Sequence, residues 1–322
     1  MKEGIESGMM KEKITSHLDS LIKNGSRAIE LQFTSSLTIN RESFSEDDPL
    51  GEESLYSPVK GIVHKFKNRV LWKVSYRCAA HCQFCTRIRQ IGSSKGDLSE
   101  VEIQNCFKYI KFHTEIEEVI LSGGDPFFTV KNTLTILKGL AEIKSIKVIR
   151  IGTRLPVHSP SSFETIAMKS LLKEIKRVAK DKPIIIILHV NHKDEIDSEV
   201  RKVIGILKKT GATLMSQTVF LRGINDDVSV LSDLFRTLYH LGILPYYIYR
   251  CDYVKGLEHF VCSIEKEQYI MTELRRQLSG IAIPLYVIDV SGKGKIPVPL
   301  AFWDGISLIE CKDFDSKKIS II

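Results

Sequence analysis

The stretch Val70-Leu71-Trp72-Lys73-Val74-Ser75 runs through Tyr76-Arg77 into Cys78-Ala79-Ala80-His81-Cys82-Gln83-Phe84-Cys85. A short β-rich run thus empties into a loop that carries three thiols. Working outward, similar β-rich runs recur at 118–121, 147–151, 184–189, 213–217 and 246–249. Helical-period stretches separate them, for example 99–113, 161–180, 200–209 and 228–241. Strands alternating with helices imply parallel βαβ units, and six of them make a partial (β/α)6 barrel or a strongly curved open α/β sheet. In either arrangement function collects where the C-terminal strand ends meet the loops. The unusual segments obey that rule. The six runs lead, in order, into the cysteine loop, Ser122-Gly123-Gly124-Asp125-Pro126, Arg154 with His158, His189 with Asn191 and His192, Arg222-Gly223-Ile224-Asn225-Asp226, and Arg250-Cys251-Asp252.

The flanks differ from this core. Residues 1–60 are polar and mixed, with an amphipathic opening (Ile14, Leu18, Leu21, Ile22), and read as a helical and loop extension packed on the core. The expected division is therefore 1–60, a core at 61–260 and a C-terminal segment at 261–322 that contains a further strand at 284–288. No internal repeat or low-complexity tract interrupts it. Hydrophobic residues make up 43% of the 322, enough for an ordinary globular core. The longest apolar run, Ile184 to Leu188, falls far short of the ~20 residues a bilayer span needs, and no apolar signal core opens the chain. These features predict a cytoplasmic protein without a membrane partner. The net charge of +7 sets 46 basic against 39 acidic residues, interleaved rather than patched, which argues against a nucleic-acid partner.

Seven cysteines, an odd number, do not make a secreted disulfide framework. Cys106, Cys251, Cys262 and Cys311 are scattered, while Cys78, Cys82 and Cys85 follow a C-x3-C-x2-C spacing. Thiolates suit iron–sulfur clusters or zinc. Structural zinc wants a fourth ligand and commonly two cysteine pairs, and His81 is awkwardly spaced to complete such a site. A cubane held by three cysteines keeps one iron open for a substrate or cosubstrate. A non-catalytic zinc protein is the alternative from another class.

The spacing after a first strand resembles the radical S-adenosylmethionine superfamily. Asp48-Pro49-Leu50-Gly51-Glu52, Arg69-Val70-Leu71, Leu121-Ser122-Gly123-Gly124-Asp125-Pro126, Leu221-Arg222-Gly223-Ile224-Asn225-Asp226 and Pro245-Tyr246-Tyr247-Ile248-Tyr249 further resemble the lysine 2,3-aminomutase family, over roughly residues 45–300. The resemblance implies a radical S-adenosylmethionine barrel with a [4Fe–4S] cluster on Cys78, Cys82 and Cys85. It implies S-adenosylmethionine at Ser122, Gly123, Gly124 and Asp125; the plainer reading of that segment is a tight turn with Asp125 as a cap. It implies pyridoxal 5′-phosphate on Lys295, in the glycine-rich stretch Ser291-Gly292-Lys293-Gly294-Lys295-Ile296-Pro297, with Lys293 the lesser candidate. A lysine there can form a Schiff base with that cofactor, although alone the stretch reads as an exposed turn.

Further implied roles are Arg69 near the cofactor phosphate, Arg87 on the substrate α-carboxylate, and Asp252 with Asp289 on a distal ammonium. Lys65 and Phe66 stand where the family more usually has arginine and tyrosine, and the lysine stretch is shorter and less glycine-rich than the family's. The implied activity is an isomerase moving the amine of L-lysine from C2 to C3. The β-lysine-forming branch that serves elongation factor P, which the 27 residues after Lys295 resemble, and an aminomutase acting on arginine stay open. An amino-acid substrate, an electron donor of flavodoxin or ferredoxin type and a homo-oligomer are the compatible partners.

Overall fold

The computed structural model describes residues 12–34, 48, 50–87, 90–91, 96–254, 257–290, 293–298, 311–312 and 318–319. The expected Cys311 side chain and residues 291–292 of the lysine stretch lie outside the described side chains. One nine-stranded sheet organises the chain, with its strands in sequence order. They are β1 (Ile62–Phe66), β2 (Arg69–Ser75), β3 (Glu118–Gly123), β4 (Val148–Thr153), β5 (Ile184–His189), β6 (Thr213–Val219), β7 (Leu244–Tyr249), β8 (Leu285–Val290) and β9 (Gly294–Pro297). Helices are α1 (Ser16–Lys23), α2 (Arg27–Phe33), α3 (Glu100–Phe112), α4 (Val130–Glu142), α5 (Leu155–His158), α6 (Ile166–Val178), α7 (Ser198–Lys208), α8 (Val228–His240) and α9 (Ile264–Gln277).

Strands β2 to β8 pair in parallel. Six βα units run from β2 to α9, as the alternation of runs predicts. The run at 284–288 extends the same sheet as a seventh parallel strand rather than standing apart from it. Antiparallel strands β1 and β9 finish the two edges. The barrel is not closed by backbone pairing, yet the edges approach each other: Lys65 Nζ on β1 lies 3.2 Å from Asp289 Oδ1 on β8.

The strands alternate in burial. On β3, Val119 and Leu121 are wholly buried while Glu118, Ile120 and Ser122 are partly open; on β4, Ile149 and Ile151 are buried while Val148, Arg150 and Gly152 are not. One face therefore packs under the helices in a single large core with Ile136, Leu137, Leu171, Leu207, Leu234 and Leu238. The other face lines the interior of the curl. Burying Leu- and Ile-sized side chains contributes roughly 1.5–3 kcal/mol each, so the helix-facing side holds the fold and the interior face is released for polar work.

Helix limits follow local capping. Ser99 and Glu102 form a capping box that starts α3, Asp197 caps α7 and Asp227 caps α8. The periodic stretch at 161–180 divides, because the Thr165 side chain accepts from Met168 N–H and starts α6 after the short turn Pro160–Glu164. Among the described residues no helix is long and apolar enough to cross a membrane. The Ser99–Glu102 box is solvent-facing and touches no other function, so Ser99→Ala is expected to lower stability by about 1 kcal/mol. The urea midpoint at constant slope measures it.

Candidate active site

The cysteine loop leaves the C-terminal end of β2 and is held from three directions. From the N-terminal segment, Lys13 Nζ donates to the Cys78 carbonyl at 2.6 Å, His81 N–H to Lys13 O at 2.9 Å and Gln83 N–H to Gln32 O at 2.8 Å. From β3, Gly124 N–H donates to Ser75 O at 2.7 Å and Asp125 N–H to Arg77 O at 2.9 Å. From β4, Arg154 Nη1 donates to Cys82 Sγ at 3.0 Å. All three cysteines are free thiols. Burial pushes each thiol up, and for Cys78 and Cys85 the neighbouring cysteines add to it; Cys85 reaches about 11. Three thiols on one loop fit the ligand chemistry of a cluster, since binding iron removes those protons and offsets the buried charge. Among the described residues no group of three or more His, Cys, Asp or Glu side chains is placed to hold a metal ion.

The paired glycines have an additional, structural purpose. A Cβ on Gly124 would stand 2.2 Å from Arg77 O, and one on Gly123, at φ +106°, would stand 2.5 Å from Ser75 O. The close approach they permit is of backbone to backbone, seating β3 against the run-up to Cys78. Asp125 likewise spends its side chain inside the protein. Its carboxylate accepts from Phe127 N–H (2.9 Å), Thr153 Oγ1 (2.8 Å), Arg154 N–H (2.7 Å) and Leu155 N–H (2.9 Å), joining the ends of β3 and β4. The Asn225 side chain is spent in the same way, binding Leu221 N–H and the carbonyls of Asn191 and Val219.

A charged chamber lies beside the loop. Asp48 caps the turn that presents Glu52, and Glu52 grips Arg87 at two points, 2.7 and 2.6 Å, with Lys73 at 3.5 Å. Burial opposes ionisation of Glu52, but Arg87 and Lys73 outweigh it and hold the carboxyl at about 2. Among the described residues Arg87 Nη1 makes long contacts, 3.4 Å to Ser122 Oγ and 3.5 Å to Gly123 O.

Across the chamber, Asp289 pairs with Lys295 at 2.7 Å and Lys65 at 3.2 Å. Although burial would raise it, those lysines hold Asp289 below its ordinary value. Asp252 shares this charge environment and is pushed up to about 7, by burial first and then by Asp289. Lys295 Nζ also sits 5.6 Å from the Tyr249 ring centroid, whose phenol is raised well above normal by burial and then by Asp289.

The lysine expected in a glycine-rich loop stands instead on β9, with Asp289 its cross-strand partner. Gly294 at φ +87° takes the turn, and Lys293 N–H closes it onto Val290 O at 3.0 Å; Lys293 lies in that turn. Arg69 begins β2, at the opposite end of the strand from the cysteine loop, with its guanidinium 3.9 Å from the Phe66 ring centroid. It still faces the interior, since it and Arg150 both act on Tyr247.

The structure thus brings Cys78, Cys82 and Cys85 together on one side, and Lys295, Asp289 and Asp252 on another. The sequence shows Glu52 only inside a motif and Lys73 only inside a strand run, and it singles out neither Gln32 nor Glu195. Glu52 had a signal, an acid four residues after Asp48 in a turn; the others had none, because nothing local marks their partners.

No family model matches the chain. It is 40% identical over 259 residues to L-lysine 2,3-aminomutase of Methanococcus maripaludis, covering 80% of this chain and 58% of that one. To L-lysine 2,3-aminomutase of Escherichia coli K12 it is 32% identical over 255 residues, covering 79% and 72%. To that of Clostridium subterminale it is 36% identical over 264 residues, covering 81% and 62%, so the chain spans about three fifths of the longer relatives. Among solved structures, a radical SAM methyltransferase from Sphaerobacter thermophilus superposes with a TM-score of 0.49 at 16% identity, covering 72% of this chain and 69% of that one. Together the curled α/β sheet and the curated relatives define an α/β isomerase. The chain belongs to the lysine 2,3-aminomutase family of isomerases.

Asp252 supplies a pH test. Below about pH 4 its carboxyl is protonated folded and unfolded; from there to about pH 7 only the unfolded chain releases the proton, so this group's contribution to stability falls as pH rises. At about 1.4 kcal/mol per pH unit, the span from 3.8 to about 7 bounds the effect at roughly 4 kcal/mol. Asp252→Asn is expected to be the more stable chain above pH 7, with a flatter stability profile between pH 4 and 7 in urea unfolding.

Proposed function

We propose that this chain is an L-lysine 2,3-aminomutase that uses a [4Fe–4S] cluster, S-adenosylmethionine and pyridoxal 5′-phosphate to convert L-lysine to β-lysine. The observation that carries the substrate is the acidic side of the chamber: Asp289 already holds two lysine ammonium groups, and Asp252 lies in the same field. Two carboxylates there favour a long cationic side chain over a neutral or acidic one.

In this reading Cys78, Cys82 and Cys85 hold the cluster, while the backbone of Ser122, Gly123, Gly124 and Asp125 flanks S-adenosylmethionine. When bound, the cluster and S-adenosylmethionine supply one-electron chemistry, and pyridoxal 5′-phosphate supplies the carrier for the migrating amine. Lys295 attaches that carrier, and Arg69 serves its phosphate from the other end of the tyrosine column Tyr247–Tyr249. Arg87, oriented by Glu52, offers its under-used Nη1 to the substrate α-carboxylate. Asp252 and Asp289 take the distal ammonium. Lys65 keeps Asp289 ionised when Lys295 is engaged elsewhere. A small flavodoxin- or ferredoxin-type protein serves as electron donor.

Anaerobically reconstituted protein with S-adenosylmethionine, pyridoxal 5′-phosphate, dithionite and L-lysine is expected to yield β-lysine by chromatography. Lys295→Ala abolishes it, and also abolishes the cofactor adduct that borohydride fixes on the parent chain for detection by mass. Asp289→Asn raises KM for lysine by roughly 30-fold, corresponding to loss of about 2 kcal/mol from a buried charge pair. Cleavage of S-adenosylmethionine without β-lysine sinks the substrate assignment, and formation of the β-isomer from arginine reassigns it.

A further inference from the structure

Arg154 leaves the end of β4 with its backbone pinned by Asp125, which accepts from the N–H groups of Arg154 and Leu155 at 2.7 and 2.9 Å. Its side chain is driven into the protein, 6% exposed overall. The guanidinium makes three directed bonds: to Glu195 Oε2 at 2.6 Å, to Gln32 Oε1 at 3.1 Å and to Cys82 Sγ at 3.0 Å. Phe33 and Phe84 cover it, each ring centroid 5.3 Å away. Glu195, wholly buried, is fixed in turn by the N–H groups of Asn191 and His192, both at 2.9 Å, and by Gln32 Nε2 at 3.1 Å.

A buried guanidinium must be paired with an anion. Glu195 meets that need in full, so charge balance does not require the sulfur. The bond to Cys82 is a further one, aimed by elements far apart in sequence: α2 through Gln32, β4 through Arg154 and the β5–α7 connection through Glu195. His158 Nε2 lies 3.9 Å from the same sulfur, farther than Arg154 Nη1. Arg154 therefore brings a full charge to the Cys82 sulfur.

We infer that Arg154 is a positioning residue that raises the reduction potential of the cluster through a charge-assisted N–H···S bond to Cys82. The inference rests on the proposed reading that Cys78, Cys82 and Cys85 hold the cluster. One electron enters the oxidised cluster from a low-potential donor, no bond breaks, and the reduced cluster carries one more negative charge. Hydrogen bonds to ligand sulfur and nearby positive charge stabilise that reduced form. Glu195 moderates the effect, because its carboxylate opposes the guanidinium charge from the side away from the sulfur.

The opposed charges give the test its sign. The full chain, reconstituted anaerobically with iron and sulfide, is compared with Glu195→Gln, Arg154→Lys and the double variant Arg154→Met with Glu195→Gln, which leaves no unpaired buried charge. Iron content and a mediated dithionite titration followed by electron paramagnetic resonance are read for each. The double variant is expected to show at least a tenfold lower reduced-to-oxidised ratio at fixed potential, a midpoint about 59 mV more negative for one electron. Glu195→Gln, which keeps the sulfur bond and removes the opposing charge, shifts the midpoint the other way, and Arg154→Lys falls between parent and double variant. A purely structural role would change iron uptake and leave the midpoints of loaded protein together. Coincident midpoints among variants that carry four irons overturn the inference alone. If the double variant takes up no iron, an unshifted Glu195→Gln midpoint overturns it. A parent chain that binds no iron overturns the cluster reading and this inference with it.

Discussion

Parallel sheets are ordinarily buried on both faces, yet seven parallel strands here carry charge on one of them: Lys73 on β2, Glu118 on β3, Arg150 on β4 and Asp289 on β8. Packing helices over that face would strand the charges in apolar surroundings, at a cost of several kcal/mol for each unpaired ion. Curling the sheet around them lets the charges meet one another instead. Arg150 pairs with Glu118 across neighbouring strands, Lys73 with Glu52, and Lys65 with Asp289 from one edge of the sheet to the other. The interior is therefore a chamber because its lining is ionic, and everything proposed for substrate and cofactor depends on that choice.

At the C-terminal mouth of the curl the cysteine loop has no regular secondary structure of its own and gains its shape from what surrounds it. The N-terminal segment supplies backbone partners to His81 and Gln83, the paired glycines admit β3 beneath Arg77, and Arg154 reaches Cys82. The N-terminal extension is thus part of the site rather than an appendage, and α1 and α2 bury Leu18, Ile29 and Phe33 against Ala80 within the loop. The side chains of Asp125 and Asn225 are ties that hold these loops in register.

Charge is distributed unevenly across the chamber. Glu52 is strongly ionised and committed to Arg87, whereas burial, and then Asp289 in the same field, push the Asp252 carboxyl up to about 7. A cation entering between Asp252 and Asp289 would relieve that penalty, so binding and ionisation support each other on the acidic side. The cluster side works in the opposite sense, with a guanidinium placed against sulfur.

Much of this was legible in the chain itself. Hydrophobic period and cap residues act over a few neighbours, so the six strand runs, the helices capped by Ser99, Asp197 and Asp227, and the three-cysteine loop could be read directly. The placement of every motif after a strand also followed, since chain direction is shared by parallel strands. What remained hidden depends on distance in sequence. Lys65 meets Asp289 across 224 residues, Gln32 meets Arg154 across 122, and no local pattern marks either pair. Lys295 illustrates the division: its glycine-rich surroundings announce a turn, but its place on β9 opposite Asp289 follows from the β8–β9 pairing. The sequence by itself determined which residues could do the chemistry; only the tertiary structure decided which of them share a charge, because a buried ion's partner is chosen by the fold that desolvates it.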